Sequence, residues 1–159
     1  LYPQFIKQLF VVDIAPVEYS KEQIETVDHL LNTNIKNCNS RKEADSKLSN
    51  YIHDKELRSF LLQNLNYNNG SYSWSLNLNT IKMGMKDLRG FPFRMIANTS
   101  QIETLCIFGA NSSYVNEKHK KKFKTLFTNI KFFKIEGAGH WLHVEKPKEF
   151  IKIILKNLI

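Results

Sequence analysis

Hydrophobic residues form three short, nearly continuous runs, which occupy residues 5–14, 104–108 and 130–135. Runs of this length, without the spacing of an amphipathic helix, are typical of strands that are buried on both faces of a parallel sheet. We therefore predict a parallel sheet built from these three segments. The first run ends in "LFVVDIAP", which places Asp13 at the carboxyl end of its strand.

The long segment between the first two predicted strands has a different pattern. Residues 20–65 carry apolar side chains at helical spacing and predict three helices, the last of them capped by Asp54. The pair Asn69-Gly70, flanked by aromatic and alternating residues, predicts a short hairpin. Residues 81–88 predict a further helix. Residues 20–98 are thus expected to form a mainly helical insert.

After the insert, strands and helices alternate. The strand at 104–108 precedes a predicted helix at 116–127, and the strand at 130–135 precedes a helix that Pro147 opens. This alternation is typical of an α/β fold with a parallel sheet. The predicted organisation has three segments: core residues 1–19, insert residues 20–98 and core residues 99–159.

Composition and charge narrow the class of protein. The chain has 159 residues, of which 42% are hydrophobic, enough for a packed globular core. No apolar stretch reaches the roughly 18 residues that a membrane-spanning helix needs. The net charge of +8 is spread along the chain, and its densest group, residues 118–124, alternates with apolar residues at helical spacing. We predict a solvated helix face there, with nucleic acid or an anionic membrane as the least favoured partner.

The two cysteines, Cys38 and Cys106, are too few for a disulfide framework or a metal cluster. Cys106 lies within an apolar run, where a small buried hydrophobic residue is the expected role. This cysteine content favours a reducing, intracellular compartment.

Three predicted strands lead into loops that carry Asp13, Ser112 and His140. In open parallel sheets, ligands bind beyond the carboxyl ends of the strands, so these side chains are expected at one edge. A histidine there acts as a general base when an acid orients its ring. Each residue alone also fits a structural role, as a packed histidine, a turn cap or a turn serine. Their shared position favours a catalytic site.

Three stretches in this order resemble a known family: "VVDIAPVEY", "FGANSSYV" and "GAGHWLHVEKP". They are similar to the C-terminal half of an α/β-hydrolase. More narrowly, they resemble the small esterase branch that includes abhydrolase domain protein 11 and its bacterial esterase relatives. The resemblance covers nearly the whole chain, although the insert matches only in pattern.

The resemblance implies a Ser–His–acid hydrolase that needs no metal or organic cofactor, with His140 as the catalytic base. Most members of the family carry the acid in a GxxD pattern, and here Ser112 stands at its last position. We therefore expect Asp13 to be the acid and Ser112 to be an auxiliary hydrogen-bonding residue. The insert is expected to cap an acyl pocket, with Trp74 and Trp141 as candidates for its lining.

Other polar residues near these motifs receive lesser roles. Asn79 stands where another alignment would place an acid, but an amide carries no charge to stabilise an imidazolium. Glu18 and Glu145 lie beside prolines and suit turns or caps. His143 is expected to be a surface or supporting residue.

The nucleophile of this family lies in a GxSxG elbow, and the 159 residues contain no such motif. We predict that the nucleophile belongs to an N-terminal half of the fold upstream of this chain, and that these residues are inactive alone. The expected substrate is a small acyl ester or thioester. A mitochondrial or cytoplasmic location is expected from the relatives. The alternative is an inactive remnant of the fold that acts as a binding module.

Overall fold

The computed structural model describes residues 3–19, 22–92 and 99–159. The described strands are β1 (Gln8–Val12), β2 (Leu65–Asn68), β3 (Ser71–Trp74), β4 (Glu103–Gly109) and β5 (Ile130–Ile135). The described α-helices are α1 (Glu22–Asn32), α2 (Arg41–Leu48), α3 (Lys55–Leu61), α4 (Leu78–Arg89), α5 (Glu117–Leu126), α6 (Leu142–Glu145) and α7 (Pro147–Asn157). None of these helices in the described residues has the length and apolar character of a membrane span.

The chain forms two compact units. The core unit comprises the described residues of Leu1–Val17 and Phe91–Ile159, and the insert unit comprises those of Glu18–Gly90. The ends that the sequence predicts for the insert, residues 20 and 98, both lie outside the described residues.

A parallel sheet with the strand order β1-β4-β5 organises the core unit. Its central strand, β4, pairs with β1 on one side and with β5 on the other. The side chains of Leu105, Cys106 and Ile107 on β4 are fully buried, which explains the unbroken apolar run in the sequence. The predicted α/β fold class with parallel strands is confirmed.

Helix α7 supports one face of this sheet. Phe150, Ile153 and Ile154 pack against a buried cluster that includes Ile107 and Ile135. Pro147 occupies the first turn of the helix, where its missing N–H costs no hydrogen bond. The sheet and α7 together fix the ends of β4 and β5, from which the candidate site projects.

The insert unit consists of α1–α4 and a hairpin of β2 and β3. Asp54 accepts hydrogen bonds from the backbone N–H groups of Glu56 and Leu57, as expected for the cap of α3. The hairpin turns at Asn69 and Gly70, whose φ angles of 50° and 78° are the left-handed values that a tight two-residue turn requires. The core of the unit is built from apolar residues of α1, α2 and α4, of the 3-10 turn that follows α3 and of the connecting loops: Val27, Leu30, Ile35, Cys38, Ala44, Leu48, Ile52, Leu62, Leu78 and Met85.

The structure departs from the sequence prediction at two elements. The third helix ends at Leu61, passes through a 3-10 turn at Leu62–Asn64 and leads directly into β2. Helix α6 was not predicted, because a single turn of four residues shows too little periodicity to be recognised.

Candidate active site

Asp13 is the first residue after β1 and is almost completely buried, with 1% of its surface exposed. Its backbone N–H donates to the carbonyl of Ile107 at 2.8 Å. Its φ of 45° lies in the left-handed region, which costs a residue other than glycine about 1–3 kcal/mol. The hydrogen bonds that the backbone and side chain of Asp13 form with neighbouring segments offset this cost.

His140 lies in the loop between β5 and α6, residues 136–141, which we call the histidine loop. This loop is joined to the loop after β4 by a hydrogen bond from the Asn111 N–H to the Ala138 carbonyl at 2.9 Å. Gly109 makes this close approach possible, since a Cβ at that position would lie 2.2 Å from the Gly139 carbonyl oxygen. The packing of backbone against backbone brings His140 to the end of β1.

The ring of His140 contacts Asp13 directly. The distance from Nδ1 of His140 to Oδ2 of Asp13 is 2.7 Å. Because a carboxylate can only accept, the proton of this hydrogen bond belongs to Nδ1, which leaves the lone pair on Nε2. The side chain of His140 is 46% exposed. A buried acid thus orients a ring whose basic nitrogen can meet a reacting group.

Ser112 and the backbone complete the surroundings of the Asp13 carboxylate. The hydroxyl of Ser112 donates to Oδ2 at 2.5 Å, and the N–H of Gly109 donates to Oδ1 at 3.3 Å. The Ser112 oxygen in turn accepts from the N–H of Tyr114 at 3.2 Å, which directs the hydroxyl proton toward Asp13. Three donors including His140 therefore converge on one carboxylate, an arrangement that stabilises its negative charge.

Sequence analysis missed Tyr114. Its ring stacks on the ring of His140 with centroids 4.0 Å apart and planes inclined by 16°. This stacking limits rotation of the imidazole ring. The only signal in the sequence was proximity, since Tyr114 lies two residues after Ser112.

The sequence predicts a turn or cap role for Glu145, and in the structure its side chain binds the backbone of the histidine loop. Its carboxylate accepts from the N–H of Gly139 at 2.7 Å and from the N–H of Trp141 at 3.2 Å. These two residues flank His140 in the chain. The histidine loop is thus held by a side chain five residues after the histidine.

The other candidates in the core unit are less directly involved. Trp141 is partly buried and contributes its backbone N–H to the contact with Glu145. His143 is exposed, and its ring lies 6.2 Å from that of Phe150. His143 therefore lies at the surface of the core unit.

Three further candidates belong to the insert unit. Trp74 donates its indole N–H to the carbonyl of Leu30 at 3.2 Å and lines a cavity of about 350 Å³ within that unit. Glu18 lies 3.7 Å from Arg89 in an ion pair, which agrees with a structural role. Asn79 is exposed in the first turn of α4.

Cys106 lies on β4, next to the candidate site. Burial, and then the negative charge of Asp13, raise the pKa of its thiol to about 12. The thiol is therefore protonated at neutral pH and is a poor nucleophile. Its expected role as a small buried residue fits this environment.

Comparison with known proteins finds relatives that match nearly the whole chain. The chain is 30% identical over 164 residues to the mouse (Mus musculus) sn-1-specific diacylglycerol lipase ABHD11, a match that covers 98% of the chain and 52% of that protein. It is 26% identical to the esterase YbfF of Escherichia coli, over 96% of the chain and 58% of that protein. A solved esterase from a marine microorganism matches with a TM-score of 0.87 and 31% identity, over 99% of the chain and 62% of that structure. No family model matches the chain.

Fold and relatives together define the class. The chain has a partial α/β-hydrolase fold, and its relatives are esterases and lipases, among them ABHD11 and the esterase YbfF. It spans about half the length of the curated relatives that it matches.

Proposed function

We propose that this chain supplies the acid and the base of a serine hydrolase. His140 is the general base, and Asp13 holds its ring and stabilises the imidazolium that forms. The observation that carries the proposal is the 2.7 Å hydrogen bond between a buried carboxylate and a half-exposed imidazole. Ser112 assists by donating to the same carboxylate oxygen.

In the proposed reaction, a serine from a segment that precedes residue 1 attacks the acyl carbonyl. Nε2 of His140 takes the serine proton and gives it to the leaving alcohol or thiol, which leaves an acyl-serine. His140 then takes a proton from water as the water oxygen attacks the acyl carbon. It gives that proton to the serine oxygen as the bond between the acyl group and the serine breaks, which releases the acid and the free serine. In both steps the proton on Nδ1 stays on the imidazole ring and donates to the carboxylate of Asp13.

The 159 residues alone are proposed to be inactive, because they contain no GxSxG motif. Loss of a single oxyanion-hole donor typically costs about 10²–10³ in rate, and loss of the nucleophile removes the covalent route altogether. The N-terminal half of the fold is therefore a required partner in this proposal.

The proposed substrate class is an acyl ester or thioester, with residues 20–98 as a cap that selects the acyl chain. The names of the relatives support an ester, since they are a lipase and two esterases. The partly buried tryptophans Trp74 and Trp141 are the proposed pocket residues. An intracellular location, mitochondrial or cytoplasmic, is part of the same proposal.

A chimera tests the proposal. In it, this chain replaces the part of the marine esterase that it matches, and the rest of that esterase is kept. We expect hydrolysis of a short nitrophenyl ester and labelling by a serine-directed fluorophosphonate, both abolished by His140→Ala. The matched control is His143→Ala, which removes an exposed histidine three positions away and should leave the activity intact.

Two results would contradict the proposal. Labelling that persists after His140→Ala removes the assigned role of the base. A reading frame upstream of Leu1 that encodes no strand, GxSxG and helix favours the alternative, an inactive fold remnant that binds a partner.

A further inference from the structure

Glu145 lies at the end of α6, and both oxygens of its carboxylate bind the backbone of the histidine loop. Oε2 accepts from the N–H of Gly139 at 2.7 Å, and Oε1 accepts from the N–H of Trp141 at 3.2 Å. The N–H of Trp141 belongs to the peptide that follows His140, and the N–H of Gly139 belongs to the peptide between Ala138 and Gly139. One carboxylate thus restrains two peptides that lie on either side of the Gly139–His140 peptide.

The local chain is built to hold this contact. The N–H of Glu145 donates to the carbonyl of Trp141 at 2.9 Å. The single turn of α6 thus brings the Glu145 side chain within hydrogen-bond distance of the histidine loop. A Cβ at Gly139 would lie 3.1 Å from Oε1, so glycine leaves room for the carboxylate. Hydrogen bonds from N–H groups to an ionised carboxylate are about twice as strong as neutral ones.

The position of His140 makes such a restraint necessary. With 46% of its side chain exposed, His140 gains little from burial, and a loop of several residues has many alternative conformations. The hydrogen bond from Asn111 to Ala138 restrains only the start of the loop. Glu145 supplies the restraint next to the histidine itself.

We propose that Glu145 is a positioning residue that keeps Nδ1 of His140 on the carboxylate of Asp13. It acts through the backbone of Gly139 and Trp141. The importance of Glu145 for catalysis rests on the proposed role of His140 as the base. The positioning of the ring can be measured in this chain without a nucleophile.

The test is nuclear magnetic resonance of the 159-residue chain with isotope-labelled histidine. Two quantities are measured: the rate at which the Nδ1 proton of His140 exchanges with water, and the tautomer of the imidazole ring. Both report on the hydrogen bond from Nδ1 to Asp13. In Glu145→Ala we expect exchange to accelerate about 10-fold, as loss of charge-assisted hydrogen bonds to the loop predicts. Glu145→Gln, which keeps one oxygen as an acceptor, should give an intermediate rate.

The matched control is Glu136→Gln, which removes a carboxylate from the same loop. Glu136 forms an ion pair with Lys134. Its substitution is therefore expected to leave the exchange rate of the His140 proton unchanged. An unchanged rate in both Glu145 variants overturns the inference, as does an equal effect of Glu136→Gln. If Glu145→Ala loses the amide spectrum of the folded chain, Glu145→Gln decides the question by the same criteria.

The result is independent of the proposed function. If the chimera remains active after His140→Ala while Glu145→Ala still accelerates proton exchange, the catalytic role fails and the positioning role stands. If exchange is unaffected while His140→Ala abolishes activity, the positioning role fails and the catalytic role stands.

Discussion

Asp13 and His140 lie 127 positions apart in the chain, and their side chains meet at 2.7 Å. One of them is 1% exposed and the other 46%. This difference in exposure separates the roles of the two residues. The buried Asp13 can only hold the Nδ1 proton in place, while the exposed His140 can exchange a proton with a reacting group. The loops after β1 and β5 reach each other because both strands run parallel to β4, which lies between them.

Asp13→Asn should abolish most of the activity of the chimera with little change in shape. An asparagine amide can donate to Nδ1, which moves the imidazole proton to Nε2 and leaves no base for the serine. The corresponding change in the well-studied Ser-His-Asp proteases costs about 10⁴ in kcat, and we expect a loss of similar size in nitrophenyl ester hydrolysis. Asp87→Asn, an exposed carboxylate on α4, is the control and should keep full activity. Activity within a factor of ten of the unchanged chimera would argue against Asp13 as the acid.

Ser112→Ala should lower kcat of the same chimera about 10-fold and leave KM nearly unchanged, since one hydrogen bond to a charged group is lost. The physical reason is the hydroxyl that donates to Oδ2 of Asp13 at 2.5 Å. Ser113→Ala removes an exposed hydroxyl at the adjacent position and serves as the matched control. Equal kinetics for the two variants would leave Ser112 with no auxiliary role.

Gly109→Ala should destabilise the fold by about 1–3 kcal/mol, the usual cost of overpacking. A Cβ at this position would lie 2.2 Å from the Gly139 carbonyl oxygen and 2.5 Å from that of Ala138, and backbone atoms cannot move aside cheaply. Gly84→Ala is the contrasting change, because that glycine lies within α4 and its Cβ would meet nothing within 4 Å. Urea unfolding should show Gly84→Ala to be stabilising by about 0.5–1 kcal/mol. A neutral Gly109→Ala would contradict the close contact between the two loops.

Cys106 should make the stability of the chain fall at alkaline pH. In the folded state, burial and the charge of Asp13 raise the thiol pKa to about 12, while an unfolded thiol ionises near pH 9. Between these values the unfolded chain has released the proton and the folded chain has kept it, so the stability present below pH 9 is lost as the pH rises toward 12.

The measurement is urea unfolding at pH 8 and pH 10 for the original chain and for Cys106→Ala. The original chain should lose about 1–2 kcal/mol more between these pH values than the variant. Ionisation of lysine and tyrosine affects both proteins alike and cancels in the comparison. Equal losses would show that the buried thiol does not contribute.

Much of the local architecture could be predicted from the sequence. The apolar runs gave the strands because a β-strand buried on both faces has no polar positions to interrupt it, as β4 illustrates. Asp54 and the Asn69-Gly70 turn were recognisable because caps and tight turns depend on backbone geometry that few residues adopt. Asp13, Ser112 and His140 could be named as neighbours because parallel strands end at one edge.

The fold class and the meeting of these loops could therefore be predicted, since periodicity and chain direction can be read from local sequence. The contacts between individual atoms could not. The stacking of Tyr114 on His140, the donation of Ser112 to Asp13 and the two bonds of Glu145 depend on side-chain directions within irregular loops. Those directions follow from packing between segments distant in sequence, such as Gly109 against Gly139, and no local pattern encodes them.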